Sequence, residues 1–300
     1  MNIINFKHSI VFFNLCILVS PLNKIIDINL IICLFLILII GISHGSLDNI
    51  KGRKLLKIFG FKSEYIFYII YLTISSLIIL LWIIFPNTVL LIFLIVACYH
   101  FGKEDTVFFV NKEILFKEIL YFFKGSSVII APLLFHREET IEIFRALNFN
   151  IFENSLFSDT FLLIFLFLGF ISSFFLSHKK DINFKILLMT DFLSILIINF
   201  FLSPILAFTL YFCFLHSIRH SITLIFELDK SFKNGFRKFI KKAIPLTLIT
   251  SFAFIVAIYL LNNFYELNEA IYKVIFIGLA SLTFPHILLE YLIEKNEKRS

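Results

Sequence analysis

Apolar residues in this chain are gathered into long runs that short polar connections separate. Most runs supply the ~20 residues with which a helix crosses a hydrocarbon layer of ~30 Å. The pattern therefore predicts an all-α integral membrane protein, a polytopic bundle of about 8–10 transmembrane helices. The runs lie at 9–22, 26–47, 65–85, 87–102, 115–135, 160–177, 184–203, 205–226, 243–262 and 270–292.

Two of these runs are weaker than the others. The first has Lys7 ahead of an apolar core, but no small-residue cleavage site precedes Pro21, so we predict an uncleaved first span. The fifth contains Gly-Ser-Ser at 125–127 and ends at Pro132. That composition favours a half-helix, or a re-entrant segment buried among its neighbours.

The composition excludes soluble classes of protein. Apolar residues make up 59% of the chain and charged residues only 16%, whereas a soluble domain carries about a quarter charged residues. The four cysteines all lie inside apolar runs and form no CxxC pair. Neither a disulfide framework nor a zinc–thiolate site is therefore expected.

The chain carries a formal net charge of +6, and its positive residues fall between the apolar runs. A nucleic-acid-binding protein would cluster them on a water-facing surface, so no nucleic-acid partner is expected. Positive residues are instead held on the cytoplasmic side of a membrane protein. This predicts a cell-membrane protein with both termini in the cytoplasm. The basic segments are 48–64, 178–185, 227–242 and the tail 293–300.

Five of the eight histidines lie inside apolar runs, within about two helical turns of the predicted cytoplasmic ends. An imidazole within a span is costly and normally faces the bundle interior. His216 and His220 are spaced i and i+4, which puts both on one helix face, as in helical metal sites. With His44 and His100 at matching depth, they predict an intramembrane metal site near the cytoplasmic side. The fifth such histidine is His286.

Acidic residues follow three of these histidines at i+4. Metal-bound histidines commonly donate their second N–H to a carboxylate, which fixes the tautomer. The alternative is a carboxylate that merely ends a span at the interface. The three pairs are His44 with Asp48, His100 with Glu104, and His286 with Glu290.

Two further charged residues lie within apolar runs. Arg219, between the two spaced histidines, is expected to pair with Asp48 or Asp105, or to extend to the lipid headgroups. Asp191 is either the counter-ion of a deep partner or the mark of a span that begins later. The pattern leaves these alternatives open.

At these positions the sequence resembles the Brp/Blh family, membrane β-carotene 15,15'-dioxygenases of bacteria and archaea. The matching segments appear in family order over most of the chain. They are GISHGSLD at 41–48, YHFGKED at 99–105, GSSVIIAPLLFHREET at 125–140, LHSIRHS at 215–221 and TFPHILLE at 283–290. The resemblance implies a single polytopic domain over 1–300, with a lead-in span at 1–25, the family core at 26–292 and a basic cytoplasmic tail at 293–300.

The resemblance also implies the iron ligands, which on this chain are His44, His100, His216 and His220. Neither His286 nor His136 is a ligand by this correspondence, and the FHRE sequence at 135–138 lacks the proline that we expect after that histidine. His136 is expected on the opposite side of the membrane if the fifth segment crosses it. The residues expected to support the ligands are Asp48, Glu104, Asp105, Arg219, His286 and Glu290.

The reaction implied by the resemblance is oxidative cleavage of the central double bond of β-carotene by O2, with Fe(2+) as cofactor and no protein nucleophile. The products are two molecules of retinal, and a microbial rhodopsin is the expected recipient. The apolar polyene enters sideways from the lipid bilayer. Aromatic residues beside the motifs are candidates for its tunnel, namely Tyr99, Phe101, Tyr211, Phe214 and Phe284.

Other functions stay open. An accessory carotenoid-binding protein without cleavage activity would not need four histidines. A transporter with a histidine proton relay would tolerate scattered depths and normally needs a deep acidic residue, whereas here only Asp191 lies deep. A di-iron desaturase needs about twice as many histidines, and an intramembrane metalloprotease needs the absent HExxH motif.

Overall fold

The computed structural model describes residues 2–22, 29–61, 63, 65–106, 114–149, 158–178 and 180–297, apart from a few side chains that include that of His44. Within these ranges the chain forms helices and no β-strand. The predicted all-α fold is therefore confirmed.

Thirteen α-helices follow one another along the described chain. They are α1 (Asn2–Leu22), α2 (Leu30–Leu36), α3 (Asp48–Ile58), α4 (Tyr65–Ile84), α5 (Pro86–Glu104), α6 (Lys117–Phe135), α7 (Arg137–Ala146), α8 (Asp159–Leu176), α9 (Ile182–Phe201), α10 (Pro204–Leu210), α11 (Ile218–Leu228), α12 (Phe232–Leu261) and α13 (Leu267–Glu297). A π-helical segment (Ile37–Gly41) and a 3-10 segment (Ile42–Leu47) join α2 to α3, and a second π-helical segment (Tyr211–Ser217) joins α10 to α11.

Ten helical stretches of the described residues are long and apolar enough to cross a membrane. α2 and α3 belong to one such stretch, Leu30–Ile58, and α10 and α11 to another, Pro204–Leu228. The apolar pattern predicted these spans well because a chain in lipid must satisfy its backbone polar groups internally, and a helix does so within one segment.

The fifth span is an unbroken helix, in contrast to the half-helix or re-entrant segment that Gly-Ser-Ser at 125–127 suggested. The glycine serves a close approach between α5 and α6. A Cβ added at Gly125 would lie 1.9 Å from the carbonyl oxygen of Cys98, and one added at Gly102 would lie 1.8 Å from that of Tyr121. Small residues allow helix backbones in a membrane to pack this closely.

The two π-helical segments pack against each other. The Ser217 hydroxyl of the second donates a hydrogen bond to the carbonyl of Gly41 in the first, at 3.2 Å. Single π-helical turns within α-helices occur frequently at functional sites. Here the second segment contains His216, and the first leads directly into the 3-10 segment that contains His44.

Packing around the bundle is uneven. α6 lies against both α5 and α8, and α1 lies along α9. In contrast, α4 and α12 present many apolar side chains at their surfaces, including Leu72 and Ile249, which are 64% and 66% exposed. Such surfaces suit contact with lipid, which is as apolar as these side chains.

Candidate metal centre

Four buried imidazole rings meet inside the bundle. His100 lies near the end of α5, His216 in the second π-helical segment, His220 in α11 and His286 in α13. The ring centres of His100 and His216 are 5.3 Å apart, those of His100 and His286 are 5.5 Å apart, and those of His220 and His286 are 5.9 Å apart. Metal–nitrogen bonds of about 2.1 Å are compatible with rings at these separations sharing one ion. We call these four residues the histidine cluster.

Three rings of the histidine cluster are each held by a carboxylate at Nδ1. The pairs are His216 with Asp105 at 3.0 Å, His220 with Glu104 at 2.9 Å, and His286 with Asp48 at 2.9 Å. A carboxylate that accepts the Nδ1 hydrogen bond fixes the tautomer in which Nε2 is the basic nitrogen. Each of these rings would therefore coordinate a metal through Nε2, so the donor set fits a metal ion that favours imidazole.

These pairs join different spans, whereas the i+4 spacing had suggested pairs along one helix. Glu104 accepts from His220 rather than His100, and Asp48 accepts from His286. Glu290 accepts a hydrogen bond from Lys51 at 2.7 Å. Residues spaced by four lie side by side on one helix face. Here that face packs against other helices, so the carboxylate contacts a histidine ring of a neighbouring helix instead of the histidine of its own.

His286 lies within the cluster that it was expected to support. One ligand atom from each of His220, His286 and Glu290 can be chosen so that all lie within 4.8 Å of one another. His44 follows the first π-helical segment and precedes Asp48 by four residues. Its side chain is outside the described part of the structure, so its place in the ligand set stays a prediction.

Asp105 connects the cluster to the rest of the core. Besides His216, its carboxylate accepts a 2.7 Å hydrogen bond from the Tyr211 hydroxyl, and the ammonium of Lys124 lies 4.0 Å away. Its backbone carbonyl accepts a hydrogen bond from Arg219 at 3.3 Å. The sequence analysis missed Lys124. A lysine within an apolar run of α6 is the signal that could have found it, because a charge inside a span is costly and seldom unpaired.

Arg219 lies in the interior of the bundle. The guanidinium is fully buried and donates two hydrogen bonds to the carboxylate of Asp191, at 2.6 and 3.0 Å, and one to the Ser9 hydroxyl at 2.6 Å. The expectations that Arg219 extends to the headgroups or pairs with Asp48 are therefore wrong. Asp191 is the counter-ion of a deep partner, because a buried guanidinium needs a carboxylate that matches its planar geometry.

The first helix contacts the elements that carry the cluster. Ser9 of α1 accepts from Arg219, and the His8 ring donates to the backbone carbonyl of Phe214, with 2.7 Å between Nε2 and the oxygen. Phe214 belongs to the second π-helical segment and Arg219 to α11. The predicted lead-in span thus packs directly behind the segment that carries His216 and His220.

The predicted tunnel residues separate into two groups. Tyr99 and Phe284 line a cavity beside His100. Phe101 and Tyr211 instead pack on His216, with ring centres 5.0 and 6.2 Å from it, and Phe214 packs against the main core. Phe101 and Tyr211 therefore cover the cluster, while Tyr99 and Phe284 border open space.

His136 lies at the junction of α6 and α7, where its ring contacts Glu139 at 3.4 Å. Tyr121 of the same helix meets α5 beside Gly102. His136 follows Tyr121 by fifteen residues, which is about 22 Å along an α-helix. It is therefore near the opposite end of α6, in agreement with its exclusion from the predicted ligand set.

Two cavities border the histidine cluster. The larger has a volume of about 570 Å³ and is enclosed by the 3-10 segment, α3, α4, α12 and α13, with Asp48 and His286 in its wall. The smaller, of about 290 Å³, lies between α5 and α13, with His100 and Glu104 in its wall. Small-molecule sites are mostly apolar cavities with a few polar groups, as these are.

The fold and the site define a polytopic α-helical membrane protein with a buried histidine–carboxylate centre that could hold a metal ion. Comparison with known proteins identifies the family. The family model for beta-carotene 15,15'-dioxygenase matches residues 35–294, and the chain belongs to this family of enzymes. The beta-carotene 15,15'-dioxygenase of uncultured marine bacterium 66A03 is 26% identical over 278 residues, which cover 89% of this chain and 94% of that protein. No solved structure matches the chain.

Proposed function

We propose that this protein cleaves the central double bond of β-carotene with dioxygen and releases two molecules of retinal. The carbon–carbon double bond and the O–O bond break, and each product aldehyde takes one oxygen atom. The observation that carries the proposal is the set of three buried histidine–carboxylate pairs that converge from separate spans in a member of this family.

The metal we propose is Fe(2+), held by His44, His100, His216 and His220. Imidazole nitrogen suits iron, and four neutral ligands leave the charge of the ion uncompensated. Bound iron supplies the redox chemistry that a reaction between dioxygen and a polyene requires. The described His216–Asp105 and His220–Glu104 pairs support this assignment, because they fix the tautomers of two proposed ligands.

The remaining residues of the site hold the ligands in place and exclude water. Asp105 and Glu104 orient the two imidazoles that follow one another along the second π-helical segment and α11. The Phe101 ring packs edge-on against His216 and covers it with apolar surface. Such a water-excluded site protects a reactive polyene from side reactions.

The setting we propose is the cell membrane, with both termini in the cytoplasm. Basic residues of α3 and of the start of α12 favour that side. β-Carotene then reaches the site from the lipid, and a microbial rhodopsin in the same membrane takes up the retinal.

The test is expression in a β-carotene-producing bacterium, with pigments separated by chromatography and iron assayed on the purified protein. We expect retinal to accumulate as β-carotene falls, with about one iron per chain. A matched strain that expresses the His220→Ala variant is the control for host background.

The outcomes separate the competing functions. Unchanged β-carotene with iron bound would indicate another apolar substrate. β-Carotene that copurifies uncleaved, without iron, would favour an accessory carotenoid-binding protein. If neither cleavage nor iron is found, the dioxygenase proposal fails and a histidine-containing transporter becomes the better candidate.

A further inference from the structure

Central cleavage of β-carotene places a demand on the shape of the site. The substrate is a stiff conjugated rod with two identical halves, each ending in a bulky ring. When its middle bond is at the reacting centre, both halves must extend away from that centre. A site for central cleavage therefore needs two apolar compartments that meet at the metal.

The larger cavity has the properties of one compartment. Its wall contains His286 and Asp48 at the inner end. Leu72 of α4 and Ile249 of α12 also line it, and both side chains are mostly exposed at the bilayer-facing surface. An apolar molecule can therefore pass from lipid between α4 and α12 toward the histidine cluster without crossing water.

The smaller cavity has the properties of the other compartment. Its wall contains His100 and Glu104 at the inner end and Val96 and Phe284 along its sides. Lys103 also lines it and forms a 2.8 Å ion pair with Glu294. A charged pair beside an apolar compartment opposes further passage of a hydrocarbon ring, because burial of a ring there would desolvate the pair.

The two cavities meet the histidine cluster from different sides of α13. His286 of the larger cavity and His100 of the smaller have ring centres only 5.5 Å apart. We propose that the two cavities hold the two halves of one β-carotene molecule, so that its central double bond lies beside the histidine cluster. This inference rests on the proposed function, since it assumes that the substrate is a symmetrical polyene.

The two cavities differ in volume and in access from lipid, and these differences indicate which half of β-carotene enters first. The larger cavity, at about 570 Å³, faces the lipid through α4 and α12. The smaller, at about 290 Å³, also reaches the surface, at Leu288 and Tyr291, which are 44% and 54% exposed, but the Lys103–Glu294 ion pair at its wall disfavours entry of a hydrocarbon ring there. The leading half therefore enters the smaller cavity, whose depth sets how far the rod advances and which double bond reaches the cluster. The trailing half stays in the larger cavity.

The experiment fills each cavity with a large side chain and compares two substrates. Thr250→Trp fills the larger cavity and Val96→Trp the smaller. The controls are Leu248→Trp and Ile95→Trp, lipid-facing positions of the same helices that are 63% and 57% exposed. Milder variants, Thr250→Leu and Val96→Phe, replace any tryptophan variant that fails to fold. The substrates are β-carotene and a shortened apocarotenal, which has one ring-bearing half and one truncated half.

For β-carotene, we expect both cavity variants to lose about tenfold or more in kcat/KM, because the added indole occupies the space that one half of the substrate needs. The apocarotenal distinguishes the cavities. Val96→Trp should cleave it at a rate close to that of the unaltered protein, since the truncated half fits the smaller space. Thr250→Trp should lose about tenfold or more with both substrates, because it narrows the cavity through which either one enters. Retained pigment per mole of purified protein is measured in parallel.

Two results would overturn the inference. One is cavity variants that match their lipid-facing controls with both substrates. The other is a Val96→Trp variant that loses both substrates equally. Failure of the proposed function looks different, because the unaltered protein would then form no retinal. Pigment retention would still test the cavities in that case, and retention unaffected by both variants would overturn the inference as well.

Discussion

The segment that ends in α11 carries two kinds of buried polar side chain close together, a pair of histidines and an arginine. The two kinds have different hydrogen-bond partners. His216 and His220 each use one ring nitrogen for a carboxylate, and imidazole has a second nitrogen for another partner. Arg219, between them in sequence, donates two hydrogen bonds to Asp191 and a third to Ser9. The first arrangement suits residues that could hold a metal ion, and the second is that of an ion pair whose partners match each other.

The largest effect should come from the histidine side of this comparison. His220→Ala should abolish retinal formation and lower the iron content of the purified protein, because it removes both a proposed ligand and the partner of Glu104. His136→Ala, at the far end of α6, should leave iron content intact. Pigment chromatography and iron analysis measure both. Iron lost from the His136 variant but kept by the His220 variant would reverse the assignment.

Variants of the Arg219–Asp191 ion pair should change the stability of the protein. Asp191→Ala leaves the fully buried Arg219 without its carboxylate, and breaking a buried pair costs about 3–5 kcal/mol. The double variant Asp191→Leu/Arg219→Met should recover much of that free energy of unfolding, because apolar residues of similar volume replace buried ion pairs well. Unfolding in mixed detergent micelles measures the difference.

The double variant also sharpens the comparison. If it regains stability and still binds iron, the Arg219–Asp191 pair serves the fold. A stable double variant that has lost its iron would instead indicate that the pair positions Asp105, whose carbonyl accepts from Arg219.

The carboxylates of the cluster should give an intermediate effect. Glu104→Gln keeps the size of the side chain but removes the charge that holds His220, and the loss of such a partner typically costs about 10–100-fold in metal affinity. Competition with a chelator at graded concentrations measures that affinity. Glu139→Gln, near the far end of α6, is the control and should leave it unchanged. Equal affinities for the two variants would argue against a role for Glu104 in metal binding.

The sequence was sufficient to predict the spans, because their length and apolar character follow from the thickness of the membrane. It also brought His100, His216 and His220 together, since intramembrane histidines at one depth share few possible partners. The sequence could not predict the pairings between carboxylates and histidines. Which carboxylate meets which ring depends on how separate helices pack, and local spacing wrongly joined Glu104 to His100.

The same limit applies to helix geometry and close packing. The π-helical turn around His216 leaves no mark in the apolar pattern, because it adds a single residue to one turn. In the sequence, Gly125 favours a half-helix or a re-entrant segment, whereas in the structure it marks the point where α6 touches α5. A glycine within an apolar run has both interpretations, and only the neighbouring helix decides between them.

The smallest effect should come from Ser9, which contacts Arg219 of the ion pair. Ser9 belongs to α1, which precedes the segment matched by the family model. Ser9→Ala removes one acceptor from Arg219 and should lower the free energy of unfolding by about 1.5–3 kcal/mol, as for a hydrogen bond to a charged group. Ser20→Ala is the matched control, because the Ser20 hydroxyl bonds to the Cys16 carbonyl of its own helix. If both serine variants are equally stable, α1 covers Arg219 without holding it. A specific loss at Ser9 would make α1 part of the framework behind His216 and His220.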